Sequence, residues 1–272
     1  MKTNKFFIIG VIFILLLILT AIFAPVLTPY TPSQQNLIER LQAPSAQHLF
    51  GTDDLGRDVF ARIVYGSRIS LSVGFISVFI ILCIGTFFGI IAGYYGGTID
   101  YIIMRFTDIV LCFPTFFLII LVIAFIEPNI YNVMIVIGCT SWPGLARLVR
   151  AEVLSLKERE FILAAKMMAI SNVKIFFVHI LPNIVSPLMV YSSLAIGGAI
   201  LTESALSFLG LGVQPPMPSW GQILTSGKDY IYMAWWLSVF PGIAILVTVL
   251  SFNLVGEAIR DAFDPKNREA NF

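Results

Sequence analysis

Charged residues are scarce in this sequence: Asp, Glu, Lys and Arg make up 12% of its 272 residues. Soluble globular domains carry roughly 25% of such residues, so the composition excludes a soluble enzyme and a disordered chain. The 17 basic and 16 acidic side chains leave a formal net charge of +1. Such a balanced chain has no strong field to attract a phosphate backbone, which excludes a nucleic-acid binder.

Cysteine and histidine are also rare. The three cysteines lie in apolar runs (Cys83, Cys112, Cys139), and their odd number and wide spacing fit neither a disulfide framework nor a zinc site. His48 and His179 are too few and too distant for a histidine metal cluster. The sequence contains no Gly-x4-Gly-Lys-Ser/Thr phosphate loop, so energy from ATP must come from another chain. We therefore expect this chain to hold no catalytic residue, metal or cofactor.

Long apolar runs are abundant, and 58% of the residues are hydrophobic. A helix that spans a bilayer needs roughly 17–25 mostly apolar residues. Six runs qualify: 6–27, 69–92, 101–126, 131–148, 184–201 and 233–254. The first is longer than the apolar core of a signal peptide, and the fourth is interrupted by Trp142-Pro143. The sequence predicts an all-α polytopic membrane protein with six transmembrane helices.

The basic residues are divided unevenly between the two sides of these predicted spans. With the N-terminus in the cytoplasm, twelve lie inside: Lys2, Lys5, Arg105, Arg147, Arg150, Lys157, Arg159, Lys166, Lys174, Arg260, Lys266 and Arg268. Five lie outside: Arg40, Arg57, Arg62, Arg68 and Lys228. The positive-inside rule therefore predicts that both termini are cytoplasmic.

The inner loop 149–183 carries apolar residues on a segment that should lie in water. Phe161, Ala164, Ala165 and Met168 follow the i, i+3, i+4, i+7 spacing of one helix face. A break is expected at 169–172, followed by a short helix 173–179 that Leu181-Pro182-Asn183 ends. Two interpretations follow: a helix lying on lipid headgroups, or a short helix docked into a groove of a cytoplasmic partner.

The same loop contains Ala164-Ala165-x3-Ala169-x9-His179-x-Leu181-Pro182. This pattern resembles the EAA loop of ABC-importer permeases, which reads Glu-Ala-Ala, three residues, Gly, nine residues, Ile, one residue and Leu-Pro. Leu163 replaces the Glu, Ala169 the Gly and His179 the Ile. A Glu-mediated contact to the ATPase cannot operate with Leu163, and alanine makes a left-handed turn less favourable at position 169.

Three longer stretches strengthen the resemblance and are similar to motifs of the dipeptide/oligopeptide/nickel permease family, in its C-type subunit. They are 48–62 after the first span, 207–216 with Trp220-Gly221 in the last outer loop, and 252–261 near the C-terminus. The resemblance covers nearly the whole chain. It implies a type I ABC-importer permease fold in a prokaryotic cell membrane, with residues 1–68 as an N-terminal helix plus outer segment and 69–272 as the core domain.

The resemblance also implies the partners. Such a permease forms the translocation pathway with a sister permease, and two ATPase subunits bind ATP and Mg on the cytoplasmic side. An extracytoplasmic solute-binding protein delivers substrate, and the EAA loop couples the ATPases to the membrane helices. Five helices are expected to form the core, with the first wrapping the partner. Di- or oligopeptides are the expected substrate, with nickel or another metal chelate as the alternative.

The outer stretch contains a polar motif made of Gly51, Thr52, Asp53, Gly56, Arg57 and Asp58. Acid/base chemistry is disfavoured because no nucleophile or metal-ligand set accompanies the carboxylates. We expect Thr52 or Asp53 to cap an interfacial helix whose Phe60, Ile63 and Val64 face lipid or protein. Arg57 and Arg62 would then face water, with an ion pair to the partner permease or binding protein as a further option.

The last outer loop combines flexible and rigid backbone in Gly210, Gly212, Gln214, Pro215 and Pro216. It is either an ordinary turn or a loop that reaches into the binding protein, as similar loops of this transporter type do. Trp220 is expected to anchor the chain at the membrane interface.

Ionisable residues near spans are functional candidates. Arg105 and Asp108 are three residues apart on one helix face, which favours an ion pair between them over a place in the pathway. Glu203 either lines the outer mouth of the pathway or caps a helix end. Gly85, Gly89 and Gly93 predict close helix packing, within the subunit or against the sister chain.

Two other function classes fit less well. An ion-coupled secondary transporter would need carboxylates at the membrane centre, and the middle parts of the six runs have none. A membrane enzyme such as an intramembrane protease would need a Ser/His, paired Asp or His-Glu-x-x-His set within the bilayer. His48 is placed outside and His179 at the cytoplasmic edge, so no such set forms.

Overall fold

The computed structural model describes residues 5–127 and 129–263. The helices are α1 (Lys5–Ile22), α2 (Ala24–Leu27), α3 (Val59–Tyr95), α4 (Gly97–Leu111), α5 (Thr115–Ala124), α6 (Ile130–Ser141), α7 (Pro143–Leu156), α8 (Glu160–Met167), α9 (Asn172–Lys174), α10 (Leu181–Phe208), α11 (Trp220–Gly227) and α12 (Trp236–Phe263). Short 3₁₀ turns cover Leu37–Glu39 and Lys228–Tyr230, and a π-helix covers Ile175–Ile180. The predicted all-α class is confirmed.

Four helical stretches in the described ranges are long and apolar enough to cross a membrane: Lys5–Ile22, Val59–Tyr95, Asn172–Phe208 and Trp236–Phe263. Two bent pairs also qualify, with 42° between α6 and α7 and 82° between α4 and α5. The sequence predicted the first bend, which lies at Trp142-Pro143. It did not predict the second, which lies before Pro114, where proline disfavours helical backbone at the preceding residue. Lys2, Lys266 and Arg268 of the orientation argument lie outside the described residues.

Helix α3 begins ten residues before the predicted span. Its N-cap is Asp58, whose side chain accepts from the Ala61 amide at 2.6 Å. The expected caps, Thr52 and Asp53, are therefore wrong, and the expected interfacial helix is the first part of α3. At about 1.5 Å per residue this helix is about 55 Å long. It therefore extends well beyond a hydrocarbon core of about 30 Å.

Glycines on α3 bring it against α7. The contacts pair Gly85 with Leu145, Gly89 with Val149 and Gly93 with Val153. A Cβ added at Gly89 would lie 2.6 Å from the Val149 Cβ, so the helices approach too closely for any side chain there. The glycine stripe therefore packs within the subunit. Because the residue numbers of these contact pairs increase together on both helices, α3 and α7 run parallel. The chain between them must therefore return across the bundle.

Helix α10 continues through the proline that was expected to end the preceding helix. Residues Asn172–Phe208 form one helical stretch, and the turn before α10 is π-helical, with the Leu181 amide donating to the Phe176 carbonyl. This expectation was wrong because a π turn relieves the clash that Pro182 would cause in a regular α-helix. The Asn183 side-chain amide donates to the His179 carbonyl at 2.6 Å.

Helix α1 packs on α12 and α3 of its own chain. A Cβ at Gly10 would lie 2.9 Å from the Ser251 carbonyl oxygen, so α1 and α12 touch through backbone. The Arg68 guanidinium donates to the carbonyls of Ala21 and Ile22 and satisfies the C-terminus of α1. That α1 also wraps a partner subunit stays a prediction.

Candidate functional site

The end of the bundle where α3 and α7 finish carries residues 157–180, here called the α8 segment. Lys157 Nζ donates to the Gly93 carbonyl at 3.1 Å. The Tyr94 hydroxyl donates to Asn172 Oδ1 at 2.9 Å. Both contacts join the segment to the end of α3, one at its first residue and one at Asn172, so the end of α3 holds it in place.

Helix α8 presents an apolar surface to its surroundings. Ile162 and Ala165 are buried against the bundle. Its exposed apolar side chains are Phe161, Leu163, Ala164, Met167 and Met168, with Met167 89% exposed, and the charged Glu160 and Lys166 are exposed beside them. The prediction that Ala165 shares one face with Phe161, Ala164 and Met168 is therefore wrong, because Ile162 and Ala165 anchor this short helix to the bundle. Phe161, Ala164 and Met168 point away from the bundle as expected.

Ala169 ends α8 in the left-handed conformation, with φ +52°. Its amide donates to the Lys166 carbonyl at 3.0 Å, and the Ile170 amide donates to the Ala165 carbonyl at 3.1 Å. These two bonds form a Schellman motif, in which the left-handed residue is usually glycine. The expectation that alanine would avoid this turn is wrong, because the two hydrogen bonds and the partly buried Ile170 enforce it.

The remaining EAA-like positions lie close by. His179 is half-buried, and its ring centroid is 6.4 Å from that of Phe161 on α8. Leu181 and Pro182 start α10. The structure therefore brings the predicted residues 163–182 together at one end of the bundle, with Leu163 and Ala164 exposed.

The opposite end, where α3 begins, holds the outer polar motif. Arg57 Nε donates to Asp53 Oδ2 at 2.7 Å, and Arg62 Nη1 donates to the same oxygen at 2.6 Å. Arg62 Nη2 also donates to Gln222 Oε1 on α11. Arg57, Arg62 and Asp53 are buried. The arginines therefore do not face water as expected, because each is paired inside the chain.

Gly51, Thr52, Gly56 and Asp58 complete this motif as structural parts. Both glycines have positive φ, +74° and +70°. Thr52 is buried, and its carbonyl accepts from Trp236 Nε1 at 3.0 Å. The Asp58 carboxylate also lies 2.8 Å from His48 Nδ1.

The last outer loop folds back on α10 between Gly210, with φ +81°, and α11. Gly212 packs on Ser207, whereas Gln214, Pro215 and Pro216 are exposed. Trp220 is only 1% exposed and donates from Nε1 to the Ile63 carbonyl at 3.1 Å. The expected interface anchor is therefore a core residue.

Glu203 is fully buried inside α10. Its Oε1 accepts from Ser207 Oγ at 2.7 Å and from Ser219 Oγ at 2.9 Å. Both expected roles, lining an outer mouth and capping a helix end, are wrong for this chain. The side chain instead joins α10 to the start of α11.

Arg105 and Asp108 do not pair with each other. Asp108 Oδ1 accepts from Arg147 Nη2 on α7 at 2.5 Å, and Arg105 donates to the Tyr101 hydroxyl at 3.1 Å. A second pair, Asp100 with Arg150 at 2.5 Å, also joins α4 to α7. The predicted pair is wrong because α7 offers Asp108 a cation from a neighbouring helix.

A family model described as a binding-protein-dependent transport system inner membrane component matches residues 85–269. A second model, the N-terminal TM domain of oligopeptide transport permease C, matches residues 1–44. The chain belongs to this permease family. The resemblance stated from its motifs is thereby confirmed.

Among residues 5–127 and 129–263, no group of three or more His, Cys, Asp or Glu side chains is placed to hold a metal.

Curated relatives align with this permease along almost its whole length. The dipeptide transport permease DppC of Alkalihalophilus pseudofirmus is 50% identical over 98% of this chain and 88% of its own. The glutathione transport permease GsiD of Pectobacterium atrosepticum is 45% identical over 94% and 85%. The oligopeptide transport permease OppC of Haemophilus influenzae is 41% identical over 97% and 86%.

The permease also resembles a solved structure, the inward-facing MetNI methionine ABC transporter. The TM-score is 0.59 at 18% identity, covering 75% of this chain and 98% of the matched chain. The expected type I importer fold is confirmed. The two alternative function classes, an ion-coupled transporter and a membrane enzyme, are not supported, since the family is that of binding-protein-dependent permeases.

Sequence reasoning missed several residues that support these sites. Ser207, Ser219 and Gln222 surround Glu203 and Arg62, and His48 lies between two carboxylates, those of Asp58 and Glu39. Ser207 stands four residues after Glu203, a helix-neighbour spacing that was readable from the sequence. The other partners come from distant segments and carried no local signal.

Proposed function

We propose that this permease forms, with a sister permease, the membrane pathway of a peptide importer. Two ATPases would dock on the α8 segment and supply ATP-driven closure. An extracytoplasmic binding protein would deliver di- or oligopeptides at the opposite end. Both termini would be cytoplasmic, as the distribution of basic residues predicts.

The exposed apolar surface of α8 carries this proposal. Large apolar side chains such as Met167, Met168 and Leu163 project from an eight-residue helix whose other side is anchored in the bundle. Exposed apolar patches mark interaction sites, and a short helix fits a groove of a partner. Family membership favours an ATPase as that partner over lipid headgroups.

The names of similar proteins favour peptides as cargo. The relatives described above transport a dipeptide, glutathione and an oligopeptide, according to their names. At 41–50% identity over nearly the whole chain, these relatives support peptide uptake over nickel or another chelate.

The outer features take supporting roles in the proposal. Gln214, Pro215 and Pro216 form the exposed tip that would touch the binding protein, while Gly210, Gly212 and Trp220 shape its base. The motif with Gly51, Thr52, Asp53, Gly56, Arg57 and Asp58 would hold the outer start of α3 rigid. The ion pairs of Asp108 and Asp100 would hold α4 to α7 on the cytoplasmic side.

The test substitutes Ala164, which is exposed in the middle of α8. Ala164→Arg would place an unpaired charge in the docked interface, which costs several kcal/mol when buried. We expect recovery of the ATPases with tagged permease from native membranes to fall by about tenfold or more. Peptide uptake should fall with it.

Ala164→Ser is the matched control, since it keeps a small side chain at the same position and should leave recovery unchanged. Ala165 is unsuitable for this test because it is buried. Undiminished ATPase recovery and uptake in Ala164→Arg would refute docking at α8. A binding protein that co-purifies with nickel rather than peptide would refute the cargo.

A further inference from the structure

Helix α10 physically connects the two ends of the permease. It is continuous with α9 and the π turn, so one helical stretch runs from Asn172 in the α8 segment to Phe208 at the outer loop. At about 1.5 Å per residue this stretch is about 55 Å long. Its outer end and the α8 segment are therefore joined by continuous helical backbone, which includes the π turn Ile175–Ile180 and Pro187.

The outer loop is clamped onto the last two turns of this helix. The Leu211 amide donates to the Leu206 carbonyl at 2.9 Å, and Thr225 Oγ1 donates to the Ser207 carbonyl at 2.8 Å. A Cβ at Gly221 would lie 2.5 Å from the Ser204 Cα, so α11 begins in direct backbone contact with α10. The tip 214–217 is exposed, as are Leu209 and Gly210 at the start of the loop, whereas residues 212, 213, 218 and 219 are buried.

Glu203 is the side chain on which both ends of the loop meet. Ser207 Oγ accepts from the Val213 amide at 3.0 Å, and Ser219 Oγ accepts from the Gln222 amide at 3.1 Å. With these amides as donors, each serine hydroxyl directs its own hydrogen to Glu203 Oε1. One carboxylate oxygen therefore holds the residues before and after the exposed tip.

The arrangement requires an acceptor at Oε1. The serines meet the same oxygen, and Oε2 is a buried atom for which the described residues offer no hydrogen-bond partner. A glutamine carbonyl can accept both bonds in the same place. A side chain of equal length without an oxygen cannot, and would leave the hydrogens of two buried hydroxyls without this acceptor.

We propose that Glu203 is a positioning residue for transport, which locks the outer loop to α10. When the binding protein docks on tip 214–217, α10 and the attached α8 segment then shift together. This inference rests on the proposed function. It places Glu203 neither in the translocation pathway nor in ATP hydrolysis. The role of Glu203 is to transmit a contact made at one end of the permease to the other.

The test uses the assembled transporter in lipid nanodiscs, with its own binding protein loaded with dialanine, and measures ATP hydrolysis with and without that protein. Glu203→Met should assemble and keep basal hydrolysis but lose about fivefold or more of the stimulation, the lower range of coupling between sites. Glu203→Gln should retain the stimulation of the unmodified complex.

Thr202→Val is the neighbouring control, since the Thr202 hydroxyl donates to the Gly198 carbonyl in its own helix. If Glu203→Met does not assemble, Ser207→Ala replaces it and should show the same loss. Full stimulation in Glu203→Met, or equal loss in Glu203→Gln, would overturn the inference. An unmodified complex that the loaded binding protein does not stimulate would instead count against the proposed function.

Discussion

Ala169 shows how local backbone hydrogen bonds can override a residue's own backbone preference. The left-handed conformation costs an alanine about 1–2 kcal/mol relative to the right-handed one. It is retained here because the Schellman bonds at the end of α8 need a left-handed residue at this point. The glycine of the EAA pattern would meet this requirement without strain.

Ala169→Gly should therefore stabilise the permease, by about 0.5–1 kcal/mol once the greater freedom of glycine in the unfolded chain is included. The melting temperature of the purified protein in detergent measures this. Ala164→Gly is the matched control: Ala164 lies within α8 in helical backbone, where glycine costs about 1 kcal/mol. A fall in melting temperature for both variants would show that position 169 is not strained.

At the scale of elements, the contact between α3 and α7 depends on missing side chains. Gly89 faces Val149 and the Ala146 carbonyl, and an added Cβ would lie 2.6 Å and 2.8 Å from them. Because α7 leads directly into the α8 segment, this contact fixes where that segment emerges. Close approach of helices through small residues is a common packing mode in membranes.

Gly89→Ala should destabilise the permease by about 1–3 kcal/mol, the usual cost of overpacking a filled interface. Gly198→Ala is the comparison, since a Cβ there meets nothing within 4 Å in this chain, and alanine favours helix. The two variants are compared by their melting temperatures and by the fraction of each protein that is monodisperse after extraction in detergent. Equal stability of both variants would contradict tight packing at Gly89.

At the scale of the molecule, the two ends of the bundle differ in chemistry. One end carries the exposed apolar surface of α8, and the other carries the buried pairs of Asp53 with Arg57 and Arg62. The parallel course of α3 and α7 places these features on opposite sides, since α3 begins at one and finishes at the other. The proposed transport direction depends on which side is cytoplasmic.

Cysteine labelling tests this orientation. In a background without the native cysteines (Cys83, Cys112, Cys139), Lys228→Cys should react with an impermeant maleimide in intact cells. Lys174→Cys should react only after permeabilisation. Both positions are exposed in this chain, so the chain itself does not block the reagent at either one. The reverse labelling pattern would invert the topology and refute the cytoplasmic docking of the α8 segment.

The sequence by itself determined the all-α class, the apolar runs, the break at Trp142-Pro143 and the family. These features depend on stretches of neighbouring residues, and a bilayer demands long apolar helices regardless of packing. The glycine stripe was also recognised, although its partner helix was not.

Only the tertiary structure decided which polar side chains are buried and whom they meet. Arg62 binds Gln222, which is 160 positions away, and Asp108 binds Arg147, 39 positions away, instead of the nearer Arg105. Trp220 and Glu203 became core residues for the same reason, since their partners lie on other elements. Patterns along a chain report local neighbours, whereas burial and pairing are set by elements that meet only after folding.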